Sequence, residues 1–246
     1  MRLPNFNINK TTVAKIILIT LLSFTVTGHT ASTKDAFIGI NEKTLKKEYR
    51  YLAVAPLEVA AALKIPDATR TAIESEIINQ LEKEGFKILP PKVIQDIRDH
   101  MRQLVGLNDV TEENDVEKLA AVLDHSYREL LLQHNIDGVV ALRIRTVGAP
   151  FANDKAEWHG TKQKIKHKGD GLMTFITGKN YSGTIAASSL QISIWDRREN
   201  PLYSWNGGIE VLMQRNGKNL EYMPENQFWQ DEKRIKKAIK LALKPF

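Results

Sequence analysis

The 246-residue chain contains no cysteine. That excludes a disulfide framework, thiol catalysis, thiolate metal sites and the lipid-modified cysteine that begins a mature lipoprotein. Local signatures of common enzymes are also missing. There is no Gly-x-Ser-x-Gly elbow and no His-Glu-x-x-His pair, and the stretch from Gly171 to Gly178-Lys179-Asn180 has neither the spacing nor the hydroxyl of a phosphate loop. Charge of one sign is in small excess, 35 basic residues against 29 acidic ones. Setting aside Arg2, Lys10 and Lys15 of the N-terminal segment leaves 32 against 29, a net +3 that is too small to point to nucleic acid. The apolar run from Ile16 to Val26 is diluted by Thr20, Ser23 and Thr25 and falls short of the ~20 residues that span a bilayer.

What the N-terminus does have is the three-part layout of a secretory signal over residues 1–32: a basic start, the short apolar run, and small residues at Val26-Thr27-Gly28 and Thr30-Ala31-Ser32. The expectation is a cleaved leader and a secreted or periplasmic protein without a lipid anchor. Residues 33–50 read as an extended, lysine-rich lead-in, and 51–246 as one domain, long enough to bury a proper core.

Within that domain the best-defined stretch is Ile136 to Arg145. Its first half is apolar on both faces, whereas its second half keeps Leu142 and Ile144 on one side and turns Arg143 and Arg145 to the other. A central strand of this kind implies helices over one face of the sheet and a second face opening to solvent. Tyr51 to Leu57 reads as an earlier strand. A helix follows from Pro66-Asp67 to Gly85, with Ile73, Ile77, Ile78 and Leu81 as its apolar stripe. Phe86 to Leu89 is a short strand, and Val93–Val105 and Val116–His134 are helices. Ala186 to Ile194 alternates as a half-wet strand; Arg198 to Pro201 turns the chain into a partner strand, with a bulge expected at Gly207-Gly208. A basic amphipathic helix runs from about Asn226 to Leu243. The fold class expected is α+β, a single mixed sheet of about four to five strands with helices mainly on one face.

Four stretches carry a family resemblance: Leu52-Ala53-Val54-Ala55-Pro56-Leu57, Gly85-Phe86-Lys87-Ile88-Leu89, Ile136-Asp137-Gly138-Val139-Val140-Ala141, and Leu190 to Asp196 with Pro201-Leu202-Tyr203-Ser204-Trp205. In this order they resemble the periplasmic domain shared by the curli-secretion pore lipoprotein (CsgG-like), the penicillin-binding-protein activator lipoprotein B and the N-terminal domain of TolB. The resemblance implies a binding or assembly module of the cell envelope and nominates no catalytic residue. Three features depart from it: there is no lipobox cysteine, Arg143 stands near where relatives often keep a small or polar residue, and the hairpin turn lacks the usual Thr-Gly.

Residues 148–183 show no steady period and read as a long insert, a length uncommon in a compact domain unless it is functional or disordered. Partner binding is assigned to this insert and the nearby sheet face, through Arg143, Arg145, Trp158, Lys162, Lys164, Lys166, Lys168 and Phe175. The apolar piece from Leu172 to Ile176 reads either as a packed hairpin or as a docking edge. His159 and His167, with Asp154, Glu157 and Asp170 nearby, raise the alternative of a metal-dependent envelope hydrolase, though wide loop spacing favours an ordinary solvated segment. No catalytic residue, cofactor or metal is assigned. The expected partner is another envelope protein; peripheral binding to an anionic membrane or other polyanion, and self-association, stay open, and nucleic acid is not expected.

Overall fold

The computed structural model describes residues 36–104, 116–168, 182–217 and 219–244. Residues 1–32, read from sequence as a leader, and Phe175 with the apolar piece around it lie outside the described residues. In chain order the elements are β1 (Phe37–Ile38), α1 (Glu42–Glu48), β2 (Tyr51–Val54), β3 (Glu58–Val59), α2 (Asp67–Lys83), β4 (Lys87–Leu89), α3 (Pro91–Leu104) and α4 (Val116–His134). They continue with β5 (Gly138–Ala152), β6 (Lys155–Trp158), β7 (Thr161–Lys164), β8 (Ser182–Asp196), β9 (Pro201–Val211), β10 (Met213–Asn216), β11 (Asn219–Tyr222) and α5 (Glu232–Ala242). The class is α+β, as expected, but the main sheet has nine strands rather than four to five.

The described residues divide into two compact units, those within 92–135 and the rest. The first holds α3 and α4. In α4, Val122, Ser126 and Leu130 recur every fourth residue as its buried stripe, and an Asp124–Arg128 pair at 3.1 Å sits one turn apart on the same helix. Among the described residues no helix is long and apolar enough to cross a membrane.

The larger unit is built on β5. Its first residues lie parallel to β2, Leu52 opposite Gly138, and β2 in turn lies parallel to β4. Along its whole length β5 runs antiparallel to β8, from Gly138 opposite Asp196 to Ala152 opposite Ser182, and β9 adds on beyond. The β8–β9 register slips near the turn, between Ile194 and Trp195, and again between Ser188 and Ser189, where Ser189 faces Gly208 and Ser188 faces Glu210. The second slip is the bulge that Gly207-Gly208 announces.

Two cores occupy opposite faces of this sheet because side chains alternate along an unbroken ladder. Val140, Leu142 and Ile144 of β5 and Leu190, Ile192 and Ile194 of β8 cluster with Leu45 of α1, Ile73, Ile77 and Leu81 of α2, and Ile235, Ala238 and Ile239 of α5. On the other parity, Ala149, Phe151, Ile185 and Ala187 cluster with Ala156 and Trp158 of β6, Ile165 and Val211. Each large side chain buried in this way stabilises the fold by about 1.5–3 kcal/mol. Gly207 lets α5 approach closely: a Cβ there would stand 1.9 Å from the Ala238 carbonyl oxygen.

Three expectations need correction. The lead-in is not simply extended, since Asn41 caps α1 by accepting from the Thr44 N–H at 2.9 Å. The C-terminal helix begins only at Glu232, where the Asp231 carboxylate accepts from the N–H groups of Lys233 and Arg234; Phe228 is buried, but ahead of that helix. Most important, the segment beginning at 148 is not aperiodic. Asn153 and Asp154 both take positive φ, as do His159 and Gly160, and each pair forms the two-residue turn of a tight hairpin. β5, β6 and β7 therefore follow one another as a meander.

Candidate functional site

The β6–β7 hairpin leaves the edge of β5 and folds across the sheet to the free edge of β9, closing this end around the second core. Trp158 donates its indole N–H to the Ser188 carbonyl at 3.1 Å and is only 3% exposed. At the turn the Gly208 N–H donates to the His159 carbonyl at 3.2 Å, and the Thr161 hydroxyl donates back to the Gly208 carbonyl at 2.7 Å. The Gln163 side-chain oxygen accepts from the Val211 N–H at 3.1 Å. Side chains of β7 thus satisfy backbone groups that a neighbouring strand would otherwise pair. Further on, Lys166 and Lys168 exchange backbone hydrogen bonds with Arg215 at 2.8 Å each.

This anchoring fixes which way the side chains point. Thr161, Gln163 and Ile165 face in, and Lys162, Lys164, Lys166 and Lys168 face out, one lysine every second residue. At about 3.3 Å per residue Lys162 and Lys164 of β7 spring from positions ~6.7 Å apart, and Lys166 and Lys168 follow beyond the end of that strand. Lys162 pairs with Glu157 at 2.5 Å and Lys168 with Glu221 at 2.9 Å. The Lys168 ammonium holds the Glu221 carboxyl below its usual range. Lys164 stands directly opposite another lysine, Lys155. Like charges across a strand pair destabilise it.

Beside β7 lies a groove of about 210 Å³ toward α5. Its cationic lining is Lys162 and Lys164 from β7 and Arg234 and Lys237 from α5; Thr161 and Gln163 of β7 and Gly208 and Ile209 of β9 complete it, with no carboxylate among the lining residues. The neighbouring shallow groove is of mixed sign: Glu210, Asp231 and Glu232 line it together with Lys166, Lys233 and Arg234. Glu210 is buried and accepts from the Trp229 N–H at 2.8 Å; burial pushes its carboxyl above the usual range.

Of the residues assigned to partner binding from sequence, the structure brings the four lysines into one row and sends the others elsewhere. Trp158 is core, because its ring fills the space under the hairpin against Gly208, and it is no exposed contact. Arg143 is half-buried and pairs with Glu58 at 2.8 Å. Arg145 is half-buried and donates to the Asn206 side-chain oxygen at 3.2 Å. The sheet face they share is not the open surface expected, since Ser189 is 0% and Asn206 4% exposed. Folding of the hairpin accounts for part of this, placing His159 Nδ1 2.8 Å from Ser189 Oγ. Phe175 lies outside the described residues.

The two histidines of the metal alternative are not brought together. His159 lies against Ser189, whereas His167 Nε2 is 3.2 Å from Asp154, whose carboxylate also holds the 2%-exposed Arg215 at 3.0 Å. Among the described residues no group of three or more His, Cys, Asp or Glu side chains is placed to hold a metal ion. Arg234 and Lys237 were missed from sequence. The signal for the row itself was present, as strict alternation from Thr161 to Lys168.

Comparison with known proteins finds no matching family model and no matching curated protein. Two solved structures are similar in part. The lipoprotein GNA1162 from Neisseria meningitidis is 13% identical over 65% of this chain and 83% of its own, with a TM-score of 0.33. A neuraminyllactose-binding hemagglutinin homolog from Helicobacter pylori is 9% identical over 84% of this chain and 86% of its own, with a TM-score of 0.31. At these TM-scores neither likeness bears on the reading below.

Proposed function

We propose that the chain is a non-catalytic docking module of the cell envelope, an accessory part of a secretion, transport or biogenesis assembly, and that it engages a partner protein through the outer face of the β6–β7 hairpin and the adjoining groove. The observation that carries this reading is the set of four outward lysines, two on a hairpin anchored at Trp158, Thr161 and Gln163 and two on the segment directly after it. A surface held this rigidly loses little entropy when it binds. The secretory layout of residues 1–32 and the order of strand motifs support the envelope setting. The side chains best suited to acid–base work are engaged in structural pairs: His167 and Arg215 with Asp154, and His159 with Ser189.

The test is affinity co-purification from envelope extracts of the source cells, comparing the native chain with Lys164→Glu/Lys166→Glu. A partner recovered with the native chain and lost with the variant is the expected result. Identical recovery from both would refute docking through this face.

A further inference from the structure

The all-cationic groove between β7 and α5 has features that a solvated lysine face does not need. We infer that it takes an extended acidic segment of the partner protein, with carboxylates at alternate positions, lying alongside β7. This deepens the docking reading and rests on it.

Three observations carry the inference. The first is charge. Lys162, Lys164, Arg234 and Lys237 line one groove from two different elements with no acid among them. Glu157 and Asp231 partly offset Lys162 and Arg234, at 2.5 and 3.0 Å. Among the described residues no carboxylate lies within ion-pairing distance of Lys164 or Lys237. The second is a local cost. Lys155 and Lys164 are directly opposed across the hairpin, an arrangement that a bound carboxylate between or beside them would turn from repulsive to attractive. The third is repeat. Lys162 and Lys164 stand at alternate positions of β7, and alternate side chains of an extended partner recur at the same ~6.7 Å, so two successive acids meet these two lysines without strain in either chain. The cations line a concavity from two elements, which suits a chain lying in the groove better than a planar bilayer.

The test is a binding titration of the purified chain against a blocked decapeptide of alternating Glu and Thr, run beside an isomer whose five Glu are contiguous and beside phosphatidylglycerol vesicles. The alternating peptide should bind at low salt, weaken as salt is raised, and bind more tightly than the block isomer. Lys164→Gln and Lys237→Gln should each weaken it about threefold, and the pair about tenfold, with thermal melts no lower than the native chain's showing that both variants fold. Absence of binding at low salt, equal affinity for the two isomers, or no effect of either substitution would overturn the inference. So would vesicle binding that depends on Lys164 and Lys237 when the peptide does not bind. If the peptide fails while co-purification still depends on Lys164 and Lys166, only the acidic-strand ligand falls; if co-purification fails as well, the docking reading falls with it.

Discussion

Replacing Gly208 by alanine tests whether the hairpin really is clamped to the edge of β9. A Cβ at this position would lie 2.7 Å from the Trp158 indole nitrogen and 2.8 Å from the Thr161 Cβ, both closer than ordinary contacts allow. Neither neighbour is a free side-chain end. Trp158 is fixed by the second core and its bond to Ser188, and Thr161 by its bond to the Gly208 carbonyl. The hairpin must therefore lift. Lifting weakens the Thr161 hydroxyl bond and the Gly208-to-His159 backbone bond, about 1 kcal/mol each, and overpacking adds about 1–3 kcal/mol. The expected loss is about 3–5 kcal/mol, or roughly 6–20 °C in Tm for a domain of this size. Thermal melts followed by tryptophan fluorescence give the stability, and amide hydrogen exchange over 155–168 reports whether the loss is local. A Tm within a degree of the native chain, with unchanged protection of those amides, would refute the clamp. Gly85→Ala is the control: φ is +92° with nothing within 4 Å of the added carbon, so only conformational strain of about 1–2 kcal/mol is expected and the hairpin amides should not change.

Other consequences follow from single contacts. Asp154→Ala removes the carboxylate that holds buried Arg215 and His167, and should cost about 3–5 kcal/mol in denaturant unfolding; Asp154→Ala with Arg215→Met should recover much of that, and equal losses would contradict the pairing. Glu210 holds its proton to higher pH in the folded state than in the unfolded chain, so stability declines as pH rises from the ordinary glutamate range through the folded value, and stays lower above it. Glu210→Gln keeps an oxygen for the Trp229 N–H and removes that decline; its Tm advantage should be small in acid and grow toward neutral pH, and a constant offset between the two proteins would contradict it. Asn41→Ala should cost about 1 kcal/mol by uncapping α1, measurable as a small drop in melting temperature without loss of the β-sheet signal.

Long elements with one apolar stripe were legible in the sequence. α2 and α4, the start of β5, and the β8–β9 hairpin with its bulge all stand where periodicity placed them. The β6–β7 hairpin was not legible, for a reason visible at Thr161 and Gln163. These inward positions are polar because they bond to the β9 backbone, so burial there does not register as an apolar alternation. The turns were obscured as well, since Asn153-Asp154 and His159-Gly160 lack the Asn-Gly pairing that marks a tight hairpin most strongly. α1 was hidden because only Leu45 of its seven residues is buried. At the site, the lysine row could be read as a charge run, but not the opposite wall of the groove. Arg234 and Lys237 arrive from a helix about seventy residues further along, and only the close approach of α5 over Gly207 brings them there.

The most direct test of docking through the hairpin face is site-specific photocrosslinking in the source cells, with the reactive group placed in turn at Lys164, at Lys166 and, as a control on the opposite edge of the sheet, at Lys87. The account predicts one reproducible protein adduct from positions 164 and 166 and none from 87. Adducts of equal yield from all three positions, or none from the lysine row, would contradict it.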